Sequence, residues 1–157
     1  MNQHYTLTTY SSMLVASEVE QRDLETVYSI FVNRTLVGEA AIFSNYSLSF
    51  GISRAQILIW GGTRFWLVDL HTSEIRAGQS TYDEIHGAFP LNGSWILVGE
   101  TTLMTLDAST ATLSMVHTHR DIIVEAWWEG SVLRFNDWEG RISSFDPVAN
   151  QWHGPSG

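Results

Sequence analysis

Cysteine is absent from this 157-residue chain, so neither a disulfide framework nor a thiolate metal site can hold it together. Lysine is absent as well. All eight basic residues are arginines, set singly at Arg22, Arg34, Arg54, Arg64, Arg76, Arg120, Arg134 and Arg141, against 17 acidic residues and a net charge of −9. Nucleic-acid phosphates and anionic membranes are held by clustered Lys and Arg, so neither is expected as a partner. No apolar run approaches the ~18 residues of a membrane-spanning helix. Met1-Asn2-Gln3-His4-Tyr5 lacks the basic start of a signal peptide, and Met13-Leu14-Val15-Ala16 is too short for its apolar core, which points to the cytoplasm. The Asn-x-Ser/Thr sequons at Asn33, Asn45 and Asn92 would matter only in a secreted chain. Charged residues are scarce at 16%, while hydrophobic residues reach 44%, a globular balance that excludes a disordered chain.

What is present in quantity is aromatic and repetitive. Seven Trp, seven Phe and five Tyr supply large apolar surfaces. Phe65-Trp66-Leu67-Val68-Asp69, Leu103-Met104-Thr105-Leu106-Asp107 and Ile142-Ser143-Ser144-Phe145-Asp146 are each an apolar strand closed by Asp. The three Asp stand 38 and 39 residues apart, and each is followed six positions later by an apolar residue: Ile75, Leu113 and Trp152. An Asp at a strand end accepts hydrogen bonds from the backbone of its own turn, and the apolar residue beyond starts the returning strand. Before each unit lies another strand: Ile57-Leu58-Ile59-Trp60, Trp95-Ile96-Leu97-Val98 and Val132-Leu133-Arg134-Phe135. Four short strands in ~39 residues is the spacing of a propeller blade.

The first 54 residues read less clearly. Tyr5–Tyr10, Thr26–Val32 and Leu36–Phe43 are rich in β-branched and aromatic residues and favour strands, with a turn at Asn33-Arg34-Thr35. A helix competes for residues 17–32, because Ser17 and Glu20 fit a capping box and Leu24, Val27, Tyr28 and Phe31 recur at helical spacing. Strands are favoured, with a helical turn near Ser17–Leu24 compatible with either reading.

Phe145-Asp146-Pro147-Val148-Ala149-Asn150-Gln151-Trp152 resembles the end of a kelch repeat. Ile57-Leu58-Ile59-Trp60-Gly61-Gly62 resembles that family's apolar strand with its glycine pair, and His86–Gly93 the strand and turn before it. Quinoprotein-type propellers share the hairpin. The resemblance, over roughly residues 50–153, implies an all-β, propeller-like fold of antiparallel repeated hairpins in about four small sheets; a β-barrel or sandwich is the alternative closure. One domain is expected over 1–157, with 1–54 as a degenerate first sheet and repeat-like units at 55–91, 92–128 and 129–157.

Chemistry-bearing residues are few. On a strand, His117 and His119 point to one side as a His-x-His pair, with Asp121 continuing that face, so these three are the candidate metal ligands. They also supply the hydrolase or small-ligand alternative, with Trp127, Trp128 and Trp138 around them. A solvated polar connection between repeats is the plainer reading, and no metal or other cofactor is expected. Glu125 and Glu129 bracket Ala126-Trp127-Trp128, the carboxylates and rings of a glycosidase cleft, but beside Gly130 they also read as solvated turn charges. No nucleophile elbow and no phosphate loop occurs. The third repeat's loop, Asn136-Asp137-Trp138-Glu139-Gly140, is two residues longer than its counterparts and sets an aromatic between two carboxylates. Trp138, Asp137 and Glu139, with Trp127 and Trp128, are therefore the candidate binding residues of a non-enzymatic module for a protein or peptide, an acidic inhibitor-like protein being one version. Few charges and no lysine leave the sheet edges undefended, so a two-fold homodimer is expected.

Overall fold

The computed structural model describes residues 3–9, 12–80 and 83–155. Tyr10, the end of the first expected strand, and the Met1–Asn2 start lie outside them. The described chain is all-β: sixteen strands in four antiparallel four-stranded sheets, taken in chain order, with no helix. Sheet 1 holds β1 (His4–Thr8), β2 (Met13–Arg22), β3 (Glu25–Val32) and β4 (Thr35–Phe43). Sheet 2 holds β5 (Ser49–Ile52), β6 (Gln56–Gly61), β7 (Arg64–Asp69) and β8 (Ile75–Gln79). Sheet 3 holds β9 (Ile85–Leu91), β10 (Ser94–Gly99), β11 (Thr102–Asp107) and β12 (Thr112–Thr118). Sheet 4 holds β13 (Ile123–Glu129), β14 (Val132–Asp137), β15 (Ile142–Asp146) and β16 (Gln151–His153). The sheets thus begin one strand before the sequence units drawn at 55, 92 and 129.

The helical reading of residues 17–32 fails. Ser17 caps nothing; its hydroxyl meets His4 Nδ1 at 2.8 Å across the β1–β2 pair. Leu14 and Ala16 on β2, with Tyr28, Ile30 and Val32 on β3, alternate into the core at a period of two. A bulge between Glu18 and Glu20 then shifts the register of β2.

The repeated Asp behave alike. Asp69 Oδ1 accepts from His71 N and Thr72 N, Asp107 Oδ1 from Ser109 N and Thr110 N, and Asp146 Oδ1 from Val148 N and Ala149 N, all at 2.8–3.2 Å. Four residues after each Asp the backbone turns left-handed, at Ser73 (φ 60°), Ala111 (φ 57°) and Asn150 (φ 53°). The returning strand then pairs Ile75 with Val68, Leu113 with Leu106 and Trp152 with Phe145.

Three hydrophobic clusters hold neighbouring sheets together. Ile57, Ile59, Trp66 and Val68 of sheet 2 face Tyr28, Ile30, Ala40 and Ile42 of sheet 1. Their alternates Leu58, Trp60, Phe65 and Leu67 face Trp95, Leu97, Met104 and Leu106 of sheet 3. Ile96, Val98 and Leu103 face Leu133, Phe135 and Phe145 of sheet 4. Sheets 2 and 3 are covered on both faces, which is why their second strands read as unbroken apolar runs. Truncating fully buried Leu97 to Ala would cost about 2–5 kcal/mol. Close packing also constrains the backbone: a Cβ on Gly78 would sit 2.2 Å from the Phe65 ring.

The linkers follow one rule. After sheet 2, Ser80 N and Ile85 N donate to Thr63 O and Gly62 O in the β6–β7 turn; after sheet 3, His119 N and Ile123 N donate to Thr101 O and Glu100 O in the β10–β11 turn. Each linker is therefore tied to the hairpin it has just left, and that places His119 at the edge of the junction with sheet 4.

Candidate functional site

Two features stand out at the start of sheet 4, one buried and one exposed, and Asp137 lies between them. Asp137 ends β14 and is buried. Its Oδ1 accepts from Glu139 N and Arg141 N, both at 3.0 Å, which folds residues 138–141 into a tight turn. Its Oδ2 accepts from Arg141 Nε at 2.9 Å and meets His119 Nε2 at 3.0 Å. A carboxylate of this kind can only accept, so His119 carries its proton on Nε2. His119 Nδ1 faces His117 Nε2 at 3.4 Å. His117 in turn stacks on Trp152, 3.6 Å between ring centres and 16° between planes. Burial, with His119 beside it, holds His117 below the usual imidazole range. His117, His119 and Trp152, with Arg120 and Pro155, line a shallow recess between the rims of sheets 3 and 4.

The three candidate metal ligands do not converge. Asp121 turns away to Arg141, whose Nη2 lies 3.4 Å from Asp121 Oδ2, while the two histidines face each other. Among the described residues no group of three or more His, Asp or Glu gathers around one point. The residues form a polar latch that joins β12 to the β14–β15 turn, with Arg141 contacting Asp137, Asp121 and Glu139.

Outside that latch the turn presents Trp138, 74% exposed. Its backbone is fixed on both sides: Trp138 N donates to Ile122 O at 2.9 Å, and the Asp137 carboxylate holds the residues that follow. Ile122 and Val124, 39% and 56% exposed, lie at the same end of the sheet, because Ile123 pairs with Asp137. Asp121 and Glu139 add carboxylates around this apolar end. Of the sequence candidates here, Trp138 and Glu139 are at the surface, whereas Asp137 is inside, where it holds the turn and His119. Ile122 and Val124 escaped the sequence reading, since their exposure depends on where β13 begins and on its bulge between Ile123 and Glu125.

Trp127 and Trp128 belong elsewhere. They lie four and five residues along β13 from Ile123, roughly 13–17 Å away at strand rise. Trp128 points into the junction with sheet 3, edge-on to Phe89 at 6.1 Å. Trp127 lies opposite Arg134, on the face of sheet 4 that turns away from sheet 3. Glu125 and Glu129 share that face, and Glu129 Oε2 is 2.6 Å from Arg134 Nε.

Comparison with known proteins places the fold and nothing finer. No protein-family profile and no curated protein sequence matches the chain. Solved structures do. The crystal structure of HIRA(644-1017) superposes with a TM-score of 0.56 at 9% identity, over 98% of this chain and 54% of that one. A chain in the mitotic checkpoint complex gives 0.59 at 11% identity, over 88% and 45%, and the computationally designed Ika8 protein gives 0.59 at 9%, over 94% and 59%. These are propeller-like structures, so the fold is of β-propeller type. This chain spans about half the length of each.

Proposed function

We propose that this chain is a non-enzymatic recognition module that binds a protein or peptide through the Trp138 end of sheet 4. The observation that carries the reading is a 74%-exposed Trp on a backbone fixed by two hydrogen bonds, from Glu139 N and Arg141 N, to the Asp137 carboxylate and one from Trp138 N to Ile122 O. A large ring held in place before binding loses little conformational freedom on contact, which is the property of an interface anchor. An exposed apolar patch rimmed by polar groups marks a protein contact, and Asp121 and Glu139 favour a partner with Arg or Lys beside its apolar residue. The net charge of −9 suits the same basic partner. Propeller folds commonly serve as interaction platforms, which supports the reading by analogy of fold alone. The kelch-like and quinoprotein-like features contribute only the hairpin that carries the turn. Among the described residues no helix is long and apolar enough to cross a membrane, and a cytoplasmic setting fits a chain without cysteine.

The second reading, a hydrolase or small-ligand binder, rests on the recess with His117 and His119 aligned behind it. The described hydrogen bonds of His117 lead only to His119, and a Ser or Thr hydroxyl beside it would be needed to favour this reading. Selection of a displayed random-peptide library on the immobilised protein tests the first. Recovered peptides should pair an apolar side chain with Arg or Lys and lose at least tenfold in affinity on Trp138→Ala. Peptides that bind both forms equally would remove the Trp138 end as the site.

A further inference from the structure

The contacts of the described residues do not join the two ends of the row of sheets. Hydrophobic clusters join sheet 1 to 2, 2 to 3 and 3 to 4. No described cluster, hydrogen bond or ion pair joins sheet 4 back to sheet 1. Each end therefore keeps one face on which none of these clusters lies, although Val27 on that face of sheet 1 is buried.

Those faces follow from the strand registers. In sheet 1 the free face carries Val15 and Ser17 of β2, Ser29 and Phe31 of β3, and Leu36 of β4. In sheet 4 it carries Trp127, Arg134, Asn136, Ile142 and Ser144. Corresponding positions in sheets 2 and 3 are the apolar pairs Leu58/Trp60 and Ile96/Val98, each buried against the next sheet. Sheet 4 replaces that pair with Arg134 and Asn136. The Asn136 Oδ1 atom is buried without a hydrogen-bond partner, and Arg134 Nε, close to Glu129 Oε2, makes no directed hydrogen bond to it. Buried polar atoms of this kind call for a partner. At the centre of sheet 1's free face, paired directly across the strands, stand Ser17, whose hydroxyl already meets His4 Nδ1, and Ser29, hydroxyl groups that can both donate and accept. Apolar residues flank the polar centre on both faces: Val15, Phe31 and Leu36 on one, Trp127 and Ile142 on the other.

We propose that a second copy of this chain completes the wheel: its sheet 1 packs on the free face of sheet 4, and its sheet 4 on the free face of sheet 1. Both new junctions repeat the step that already relates sheet 1 to 2, 2 to 3 and 3 to 4. Two chains of four sheets give eight, within the ~4–8 blades of closed propellers, and the chain spans about half of three of the structures it resembles. The two copies are related by a two-fold axis although each junction joins unlike faces. A polar centre at the closing junctions, where the internal ones are apolar, keeps sheet 4 from pairing with an internal sheet. This deepens the reading of a two-fold dimer and does not involve Trp138.

Light scattering on the 157-residue chain at tens of micromolar should give twice its 17.7 kDa. Phe31→Lys on sheet 1 and Trp127→Lys on sheet 4 should each yield a monomer with an unchanged circular dichroism spectrum; Leu36→Lys and Ile142→Lys, at exposed positions, repeat the test should either of the first pair fail to fold. A monomeric parent chain overturns the proposal. So does a dimer that survives one of the two substitutions, which would mean like faces pairing, and so does an open polymer. Peptide binding at Trp138, measured on the same monomeric variants, stands or falls independently.

Discussion

Replacing Asp137 separates a buried organiser from a surface charge. The side chain is 1% exposed and its two oxygens meet four donors: Glu139 N, Arg141 N, Arg141 Nε and His119 Nε2, at 2.9–3.0 Å. Asp137→Ala leaves the His119 donor and part of the Arg141 guanidinium without their acceptor. A hydrogen bond involving a charged group is worth about 1.5–3 kcal/mol, and removal of one partner from a buried charged pair costs about 3–5 kcal/mol. The four bonds share one carboxylate and do not add, so the expected loss is about 3–5 kcal/mol. At about 2–4 °C per kcal/mol for a chain of this size, Tm falls by roughly 6–20 °C. Asp137→Asn retains the turn acceptor but sets an amide N–H against the His119 N–H, so it should lose roughly half as much. Urea unfolding monitored by tryptophan fluorescence measures both. A loss below about 1 kcal/mol for Asp137→Ala would refute the latch and return Asp137 to the solvated loop that its sequence context suggests.

Trp138→Ala should cost well under the ~3–5 kcal/mol of a buried Trp while abolishing peptide capture; a large drop in Tm would show that the ring packs inside. Ala111→Gly should stabilise by up to about 1 kcal/mol, because Ala111 holds φ 57° where glycine rests without strain, and thermal melts that show no gain would count against that turn. Stability should fall on acidification below about 6.5, the ordinary histidine value, because the unfolded chain takes up a proton that half-buried His117 resists. Tm compared at pH 8 and 5.5 reads this, and His117→Phe should flatten the slope between them. A second fall is expected nearer pH 4 and below, where Asp107, held under the carboxylate range by the Ser109 hydroxyl and the backbone of Ser109 and Thr110, takes up its proton.

Much of this fold is written in short-range chemistry. Asp69, Asp107 and Asp146 were legible because an Asp acting on its own turn needs no distant partner. Sheet order shows in the second strands: Ile57–Trp60 and Trp95–Val98 are apolar throughout because both faces are covered, whereas Leu133-Arg134-Phe135-Asn136 alternates because one face is free. Strand β2 was hidden, since Glu20, Gln21 and Arg22 lie in solvent and the bulge at Val19 breaks the period on which a strand is recognised. Asp137 misled for the opposite reason. Asn136-Asp137-Trp138-Glu139-Gly140 looks like any exposed turn, and only His119, 18 residues earlier, and Arg141 reveal that its carboxylate faces inward. The proximity of His117 to His119 followed from strand geometry, but the ring of Trp152 beneath it depends on how sheet 4 meets sheet 3, which the returning strand alone does not show.

The most direct test of the recognition reading is a nuclear magnetic resonance titration that follows the indole N–H signals of the seven tryptophans as a selected peptide is added. Trp138 should shift first, with the backbone amides of Ile122 and Val124. Trp95, buried and hydrogen-bonded to Gln56 Oε1 at 3.1 Å, should stay where it is. A stationary Trp138, with shifts centred on Trp152 and His117, would move the site to the recess between sheets 3 and 4 and contradict the account.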